Sequence, residues 1–244
     1  RSRYLVAMRF TVEVFHIYAT ACIRNGGTCI CDDRMSPAAA LAKHAITHVA
    51  FPPFLLSQVL DDPDRPATKP DNLVSLTAGA PVSVPVRERV RRELADELME
   101  SYGSQEATVI ATMDADRNGT VVPGVRVEVV DDDDQPVFGT PGRVRVRSDG
   151  CITGYLDHPE ATAQMFRNGW FYPGDLAIMQ DSRRLKLIGR ADDLLNSQGI
   201  KFAPGPLEES LRNTLPVDDL CLTALPDSAG ISRMWVVAVL PDPA

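Results

Sequence analysis

The feature that most constrains this chain is a change of sequence grammar near Glu106. Before it, short apolar runs alternate with amphipathic segments. After it, apolar and polar residues alternate one by one. Phe15 to Arg24 reads as a helix stopped by Asn25-Gly26-Gly27, and Thr28 to Cys31 as a strand. Ser36-Pro37 supplies a cap and a first-turn proline for a second helix. Ile46 to Phe51 reads as a strand, Pro52-Pro53 opens a helix ending near Leu60, and an Asp/Pro-rich linker (Asp61 to Asp71) leads to a strand at Leu73 to Thr77. Val86, Val90, Leu94 and Leu98 recur every fourth residue and predict an amphipathic helix. Strand–helix repetition of this kind implies a mostly parallel sheet covered by helices.

Beyond Glu106, Val125, Val127 and Val129 alternate with Arg126 and Glu128, and Val144 and Val146 alternate with Arg143, Arg145 and Arg147. Period two, with turns at Asp131–Gln135 and Asp181–Arg183, signals antiparallel strands with one wet face. From Asp192 a helix (Leu207, Leu211, Leu215) lies between short strands. The expected fold is α/β: a mostly parallel sheet with helices over 1–107, a β-barrel-like subdomain over 108–190, and part of a small α+β domain over 191–244.

Acidic residues (33) outnumber basic ones (25), giving a net charge of −8 with no basic tract, which argues against a nucleic-acid partner. No apolar run reaches the roughly 18–20 residues of a membrane span. The five cysteines are too scattered for a disulfide framework, Cys29 and Cys31 read as core thiols in a buried strand, and a cytoplasmic protein is expected. Two patterns mimic metal sites. Asp114-Ala115-Asp116-Arg117-Asn118-Gly119 opens like a calcium loop but has Val125 at its twelfth position, so a hairpin turn is expected. His44 and His48 have helical spacing, but His48 sits in a predicted strand entry.

The densest pattern is in the last third. Gly169-Trp170-Phe171-Tyr172-Pro173-Gly174-Asp175-Leu176 is followed by Gly189-Arg190-Ala191-Asp192-Asp193 and by a run from Gly199 to Glu209. Upstream stand Thr77-Ala78-Gly79-Ala80-Pro81, Tyr102-Gly103-Ser104-Gln105-Glu106, and Gly154-Tyr155 with Pro159-Glu160-Ala161-Thr162. In this order they resemble the motifs of the adenylate-forming superfamily, which comprises acyl-CoA synthetases, luciferases and peptide-synthetase adenylation domains. The resemblance covers essentially the whole chain.

That resemblance implies a two-step reaction. A carboxylic acid and MgATP form an acyl-adenylate, and a thiol of coenzyme A or of a carrier protein's phosphopantetheine then displaces AMP. By resemblance, Gly79, Ala80 and Pro81 line the adenine and acyl pocket. Tyr102 stacks on adenine with Gly103 and Gln105 beside it, and Glu106 helps hold magnesium, which takes hard oxygen ligands. Asp175 takes the ribose hydroxyls, Arg190 reaches ribose or phosphate, Asp192 is the hinge, and Gly199 lies near the thiol path. Glu106 and Arg190 are the catalytic candidates. The acyl pocket is expected around Val12 to Ala19 and Thr77 to Pro81, with an apolar lining. Met8-Arg9-Phe10 resembles a Leu-Pro-Phe segment of the family.

The stretch from Gly154 to Thr162 resembles acid–CoA ligases more than peptide-synthetase domains. Four departures from the resembled pattern matter. Gln105 stands where the family has threonine, Asn196 where it has lysine, no Ser/Thr/Gly-rich phosphate loop ending in lysine occurs, and the family's Gly-Lys segment with its second chemical lysine is not matched. A preorganised charge contact of that kind is worth about 3–4 kcal/mol of barrier. Two expectations follow: the residues are the middle and rear part of a longer ligase, or they form a nucleotide- or acyl-adenylate-binding or interaction module without ligase activity. The identity of the acid and the oligomeric state leave no mark in the sequence.

Overall fold

The computed structural model describes residues 1–8, 12–197, 200–217, 219–226 and 232–240. They fall into two compact units, 1–125 with 148–152, and 126–147 with 153–244. In the first unit the elements run β1 (Arg3–Leu5), α1 (Glu13–Arg24), β2 (Thr28–Ile30), α2 (Pro37–Lys43), β3 (His48–Ala50), α3 (Pro53–Asp61), β4 (Val74–Ala78), α4 (Val84–Glu93), β5 (Glu97–Ser104), β6 (Thr108–Met113) and β7 (Asn118–Val121). The strands lie in the order β2-β1-β3-β4-β5-β6-β7. Pairing is parallel through β5 and antiparallel from β5 to β7.

Strand parity assigns the two faces of this sheet. Leu5, Val49 and Phe51 bury against Leu56, Leu60, Val90 and Leu94, on the side of α2, α3 and α4. Their neighbours Tyr4 and Ala50 bury against Phe15 and Ala19 of α1. A parallel sheet needs both faces covered, and here one helix covers one side and three the other. Local chemistry sets the helix ends. The Ser36 hydroxyl accepts from the Ala39 amide at 3.1 Å, and Asn25-Gly26 stops α1, with Gly26 at φ +73°.

Two expectations need correction. Helix α4 ends at Glu93, so Leu94 is its cap and Leu98 lies on β5. Leu98 keeps the fourfold spacing by coincidence: the Asp96 amide bonds to the Leu73 carbonyl at 2.9 Å and draws the chain into the sheet. The cysteine strand is also not a buried one. β2 is the edge strand, and Cys29 is half-buried while Cys31 is exposed beyond its end.

One buried ion pair fixes α4 to the sheet. Glu100 pairs in register with Thr77, which puts it on the face covered by α2, α3 and α4, and Arg87 reaches it from α4. The two side chains are 8% and 10% exposed, and Arg87 Nη2 also donates to the Val82 carbonyl at 3.2 Å.

The second unit is antiparallel. It contains β8 (Val125–Val130), β9 (Pro141–Ser148), α5 (Pro159–Met165), β10 (Phe166–Arg167), β11 (Trp170–Phe171), β12 (Asp175–Met179) and β13 (Arg184–Arg190). Its strand order is β10-β11-β9-β12-β13, with β8 on β9. Asn168-Gly169, both at positive φ, make the two-residue turn between β10 and β11. Trp170 is buried with Val130 and Tyr172, and Arg126 and Arg145 stand over its ring at 5.3 and 4.6 Å. Between these arginines, Glu128 accepts from Arg145 Nε at 2.9 Å. Burial alone would raise the Glu128 carboxyl, but the bonds from Arg145 and Arg126 outweigh it and hold its pKa below the ordinary value. The chain continues through β14 (Leu195–Ser197), β15 (Ile200–Phe202), α6 (Pro204–Thr214), β16 (Asp219–Pro226) and β17 (Ser232–Val239), with β14–β15 and β16–β17 as separate antiparallel pairs. No helix among the described residues is long and apolar enough to cross a membrane.

Removing one partner of a buried pair leaves the other charge stranded, which costs about 3–5 kcal/mol. Arg87→Ala is therefore expected to lower the urea midpoint by that equivalent. Arg87→Ala combined with Glu100→Gln should recover much of the loss, and an unchanged midpoint in the single variant would refute the assignment.

Candidate active site

The parallel part of the first sheet winds in two directions. From β1 the chain passes through α1 on one face to β2, then returns through α2, α3 and α4 on the other. Where winding reverses, at β1 and β3, the connections part and leave a crevice at the strands' carboxyl ends. A cavity of about 300 Å³ lies there. Met8 follows β1, Pro52 follows β3, Gly79 follows β4, and Ser104 closes β5; Phe15 and Tyr18 of α1 form a wall.

Of the residues singled out from sequence, Gly79, Gly103 and Gln105 line this cavity at its exposed end. Val12, Ile17, Thr77 and Ala78 line it as well. Ala80 and Pro81 are exposed and outside its lining, as is the half-buried Tyr102. Glu106 sits in the turn after β5, where its carbonyl accepts from the Ile152 amide at 2.9 Å and the Ala107 amide donates to Ser104 Oγ at 3.2 Å.

Two glycines serve for opposite reasons. At Gly79 the backbone has φ +96° and an added Cβ would meet nothing within 4 Å, so the turn needs the dihedral and leaves open space beside the main chain. At Gly103 a Cβ would lie 2.1 Å from the Thr108 carbonyl oxygen. The ladder slips between Tyr102 and Gly103, so the two strands come together more closely than any side chain permits.

In the second unit, Asp175 and Arg190 are opposite each other at the ends of β12 and β13. Arg190 Nη1 donates to Asp175 Oδ1 at 3.3 Å and to the Pro173 carbonyl at 3.1 Å, and Nη2 donates to Asp192 Oδ2 at 3.0 Å. The bond to Asp192 raises the Arg190 pKa further, burial opposes it, and the charges of Asp175 and Asp193 add to the rise. Gly174, at φ +83°, turns the chain so that Asp175 meets this guanidinium; a Cβ at Gly174 would come within 3.0 Å of Arg190 Nη2. Asp175 and Asp192, seventeen residues apart, thus share the Arg190 guanidinium. Gly199, like Arg9 and Phe10, lies outside the described residues.

The upstream marker segments are structural. Thr162 Oγ1 accepts from the Tyr155 amide at 2.8 Å and donates to the His158 carbonyl at 2.9 Å. Gly154 is needed because a Cβ would meet Thr162 Cγ2 at 2.6 Å. Tyr155 packs edge-on to Phe166. Asp114 closes the β6–β7 hairpin by accepting from the Asp116 and Asn118 amides, both at 2.9 Å, as expected of a turn. No cluster of three metal-ligating side chains occurs among the described residues. Sequence reading missed Ala50, Phe51, Thr108 and Val109 in the cavity lining, and missed the pair Arg87–Glu100. Only the position of Ala50-Phe51 at the end of a predicted parallel strand hinted at the first two.

The two glycine sites give different expected costs. Gly103→Ala should destabilise by about 1–3 kcal/mol, the range for overpacking, and by more than Gly79→Ala, which meets only the dihedral penalty. Urea denaturation of both variants checks the order, and equal losses would refute the close approach at Gly103.

The chain shares 29% identity over 233 residues, 89% of its length and 44% of the relative's, with the 3-[(3aS,4S,7aS)-7a-methyl-1,5-dioxo-octahydro-1H-inden-4-yl]propanoyl:CoA ligase of Rhodococcus jostii (strain RHA1). It is 30% identical over 261 residues to a probable non-canonical nonribosomal peptide synthetase, CymA, of Salinispora arenicola (strain CNS-205), covering 98% of this chain and 3% of that one. The amide bond synthetase McbA of Marinactinospora thermotolerans superposes with a TM-score of 0.85 at 26% identity, over 100% of this chain and 52% of the other. The chain thus spans about half the length of the Rhodococcus and Marinactinospora proteins. A family model described as AMP-binding enzyme matches residues 1–156, well over half of the chain. The chain belongs to the AMP-binding enzyme family.

Proposed function

We propose that this chain is part of a ligase that activates a carboxylic acid with ATP and passes the acyl group to the thiol of coenzyme A. The observation that carries the reading is the cluster of Asp175, Arg190 and Asp192 around one guanidinium, with Gly174 as its turn. ATP supplies the activated α-phosphate to which the acid's carboxylate bonds as pyrophosphate leaves, after which the thiol displaces AMP. The chain's own residues then bind, orient and neutralise. The Asp175 carboxylate, 15% exposed, accepts from the ribose hydroxyls. Arg190 holds that carboxylate in position and, always charged, offers donors to ribose or phosphate oxygens.

The fit of a nucleotide on the first unit rests on the open space beside Gly79, where main chain can approach a flat ring without a side chain between. Tyr102, Gly103, Ala80 and Pro81 belong to the same adenine-binding assignment, and Gln105 donates to a phosphate oxygen. Magnesium takes one or two carboxylates and completes its shell with phosphates and water. Glu106 supplies one such carboxylate. Asp192 is the hinge of the reading and Gly199 belongs to its thiol path. The functional segments are 1–107, 108–190 and 191–244. Five free cysteines suit the reducing cytoplasm, where ATP and coenzyme A are at hand.

A second reading, a nucleotide-binding module without ligase activity, is favoured by Gln105, exposed at the rim where the resembled motif has threonine. Calorimetric titration with AMP and with MgATP tests the first reading. AMP is expected to bind, and Asp175→Ala to weaken it at least tenfold with unchanged circular dichroism. A folded wild-type chain that ignores AMP, or an Asp175→Ala variant that binds equally well, refutes the site. Acid-dependent exchange of pyrophosphate into ATP, assayed on the longer protein of which the first reading makes this chain a part, separates the two readings: exchange supports the ligase, and AMP binding without exchange supports the module.

A further inference from the structure

Resting on the ligase reading above, we propose that the cavity at the carboxyl ends of β1, β3, β4 and β5 takes an uncharged, hydrophobic acyl body of up to about twelve carbon atoms. The substrate class is then a medium-sized aryl, bicyclic or alkyl monocarboxylate, as opposed to a dicarboxylate, an amino acid or a long-chain fatty acid.

The walls supply the chemistry. Val12, Phe15 and Tyr18 come from the α1 side, Ala50 and Leu76 from the sheet, and Val109 from β6. Phe15 and Ala50 are 2% and 3% exposed, so the inner end is apolar and shielded. No charged side chain lines the cavity among the described residues. A second carboxylate or an ammonium group carried into it would lose its hydration and find no counter-charge, which is the costliest mismatch a binding site can present. Tyr18 is the only titratable side chain in that lining, and burial raises its pKa, so it stays a neutral phenol. The lining's other polar side chains, Thr77, Ser101, Ser104, Gln105 and Thr108, are uncharged as well. The polar rim of Gly79, Gly103 and Gln105 is at the exposed end, where the carboxylate must meet the nucleotide.

Volume sets the size. An apolar cavity of about 150 Å³ holds one benzene. At about 300 Å³ this one has room for two such bodies, hence about twelve carbons. At the same packing a sixteen-carbon chain needs more room than these walls enclose.

The test titrates the 244-residue chain with 2-naphthoate, octanoate, benzoate, succinate, glycine and hexadecanoate, with AMP present and AMP affinity measured separately. Naphthoate and octanoate should bind at least tenfold more tightly than succinate or glycine, and hexadecanoate no better than octanoate. Ala50→Leu, which fills the inner end, should weaken naphthoate at least tenfold and benzoate less than threefold. Should that variant fail to fold, Ile17→Glu at the rim, where Ile17 is 38% exposed, should weaken all the hydrophobic carboxylates together. Succinate binding as well as naphthoate, hexadecanoate binding best, or no acid binding at all overturns the proposal, and intact AMP binding in those cases leaves the ligase reading standing. Naphthoate binding with no AMP binding sinks the ligase reading while the cavity's preference stands.

Discussion

The reversal of winding at β1 is the constraint on which the first unit depends. A parallel strand pair needs a crossover packed on one face, and a sheet with every crossover on one side would leave its other face wet. Sending α1 to one face and α2, α3 and α4 to the other buries Tyr4 and Ala50 on one side while Leu5, Val49 and Phe51 are buried on the opposite side. The same division pulls the connections apart at the carboxyl ends of β1 and β3. The crevice is therefore a by-product of covering the sheet, and its walls are apolar because they are the ends of core strands and the inner side of a core helix.

The chemistry-bearing segments attach to this frame through backbone constraints. Gly79 turns the chain after β4 with open space beside it, and Gly103 lets β5 and β6 approach at a slipped register. Near both, Arg87 joins the Val82 carbonyl, three residues after Gly79, to Glu100, three residues before Gly103 on β5. A pair of this kind adds little net stability over apolar packing, but it demands one geometry.

The second unit uses antiparallel register for the same end. Trp170, Phe171 and Tyr172 are packing residues, with two arginines that Glu128 holds in place standing over the Trp170 ring. Their burial anchors the start of the run that ends in Pro173-Gly174, and the turn then delivers Asp175 opposite Arg190. Much of the sequence signature in this region therefore encodes support. The acid and its guanidinium are the small part to which the proposed function assigns chemistry, and Thr162 ties down Gly154-Tyr155 by hydrogen bonds.

Local physics was legible in the chain itself. Ser36-Pro37 starts a helix, Asn25-Gly26 stops one, Asp114 closes a hairpin, and alternating valines mark the antiparallel strands, because each rests on dihedral preferences or hydrogen bonds within a few residues. The order of motifs also pointed to the family, and to Asp175, Arg190 and Asp192 as its marked residues. Periodicity failed at Leu98, where a fourfold spacing ran on into a strand, because the bond from Asp96 to Leu73 spans segments that no local pattern connects. Cys31 lay exposed because only sheet order makes β2 an edge. Tertiary structure alone decided which residues meet. The ion pair Arg87–Glu100, the shared guanidinium at Arg190 and the cavity walls at Ala50 and Val109 all arise from strand order and register. These are set by burial and hydrogen bonds between segments far apart in sequence, which composition and spacing do not record.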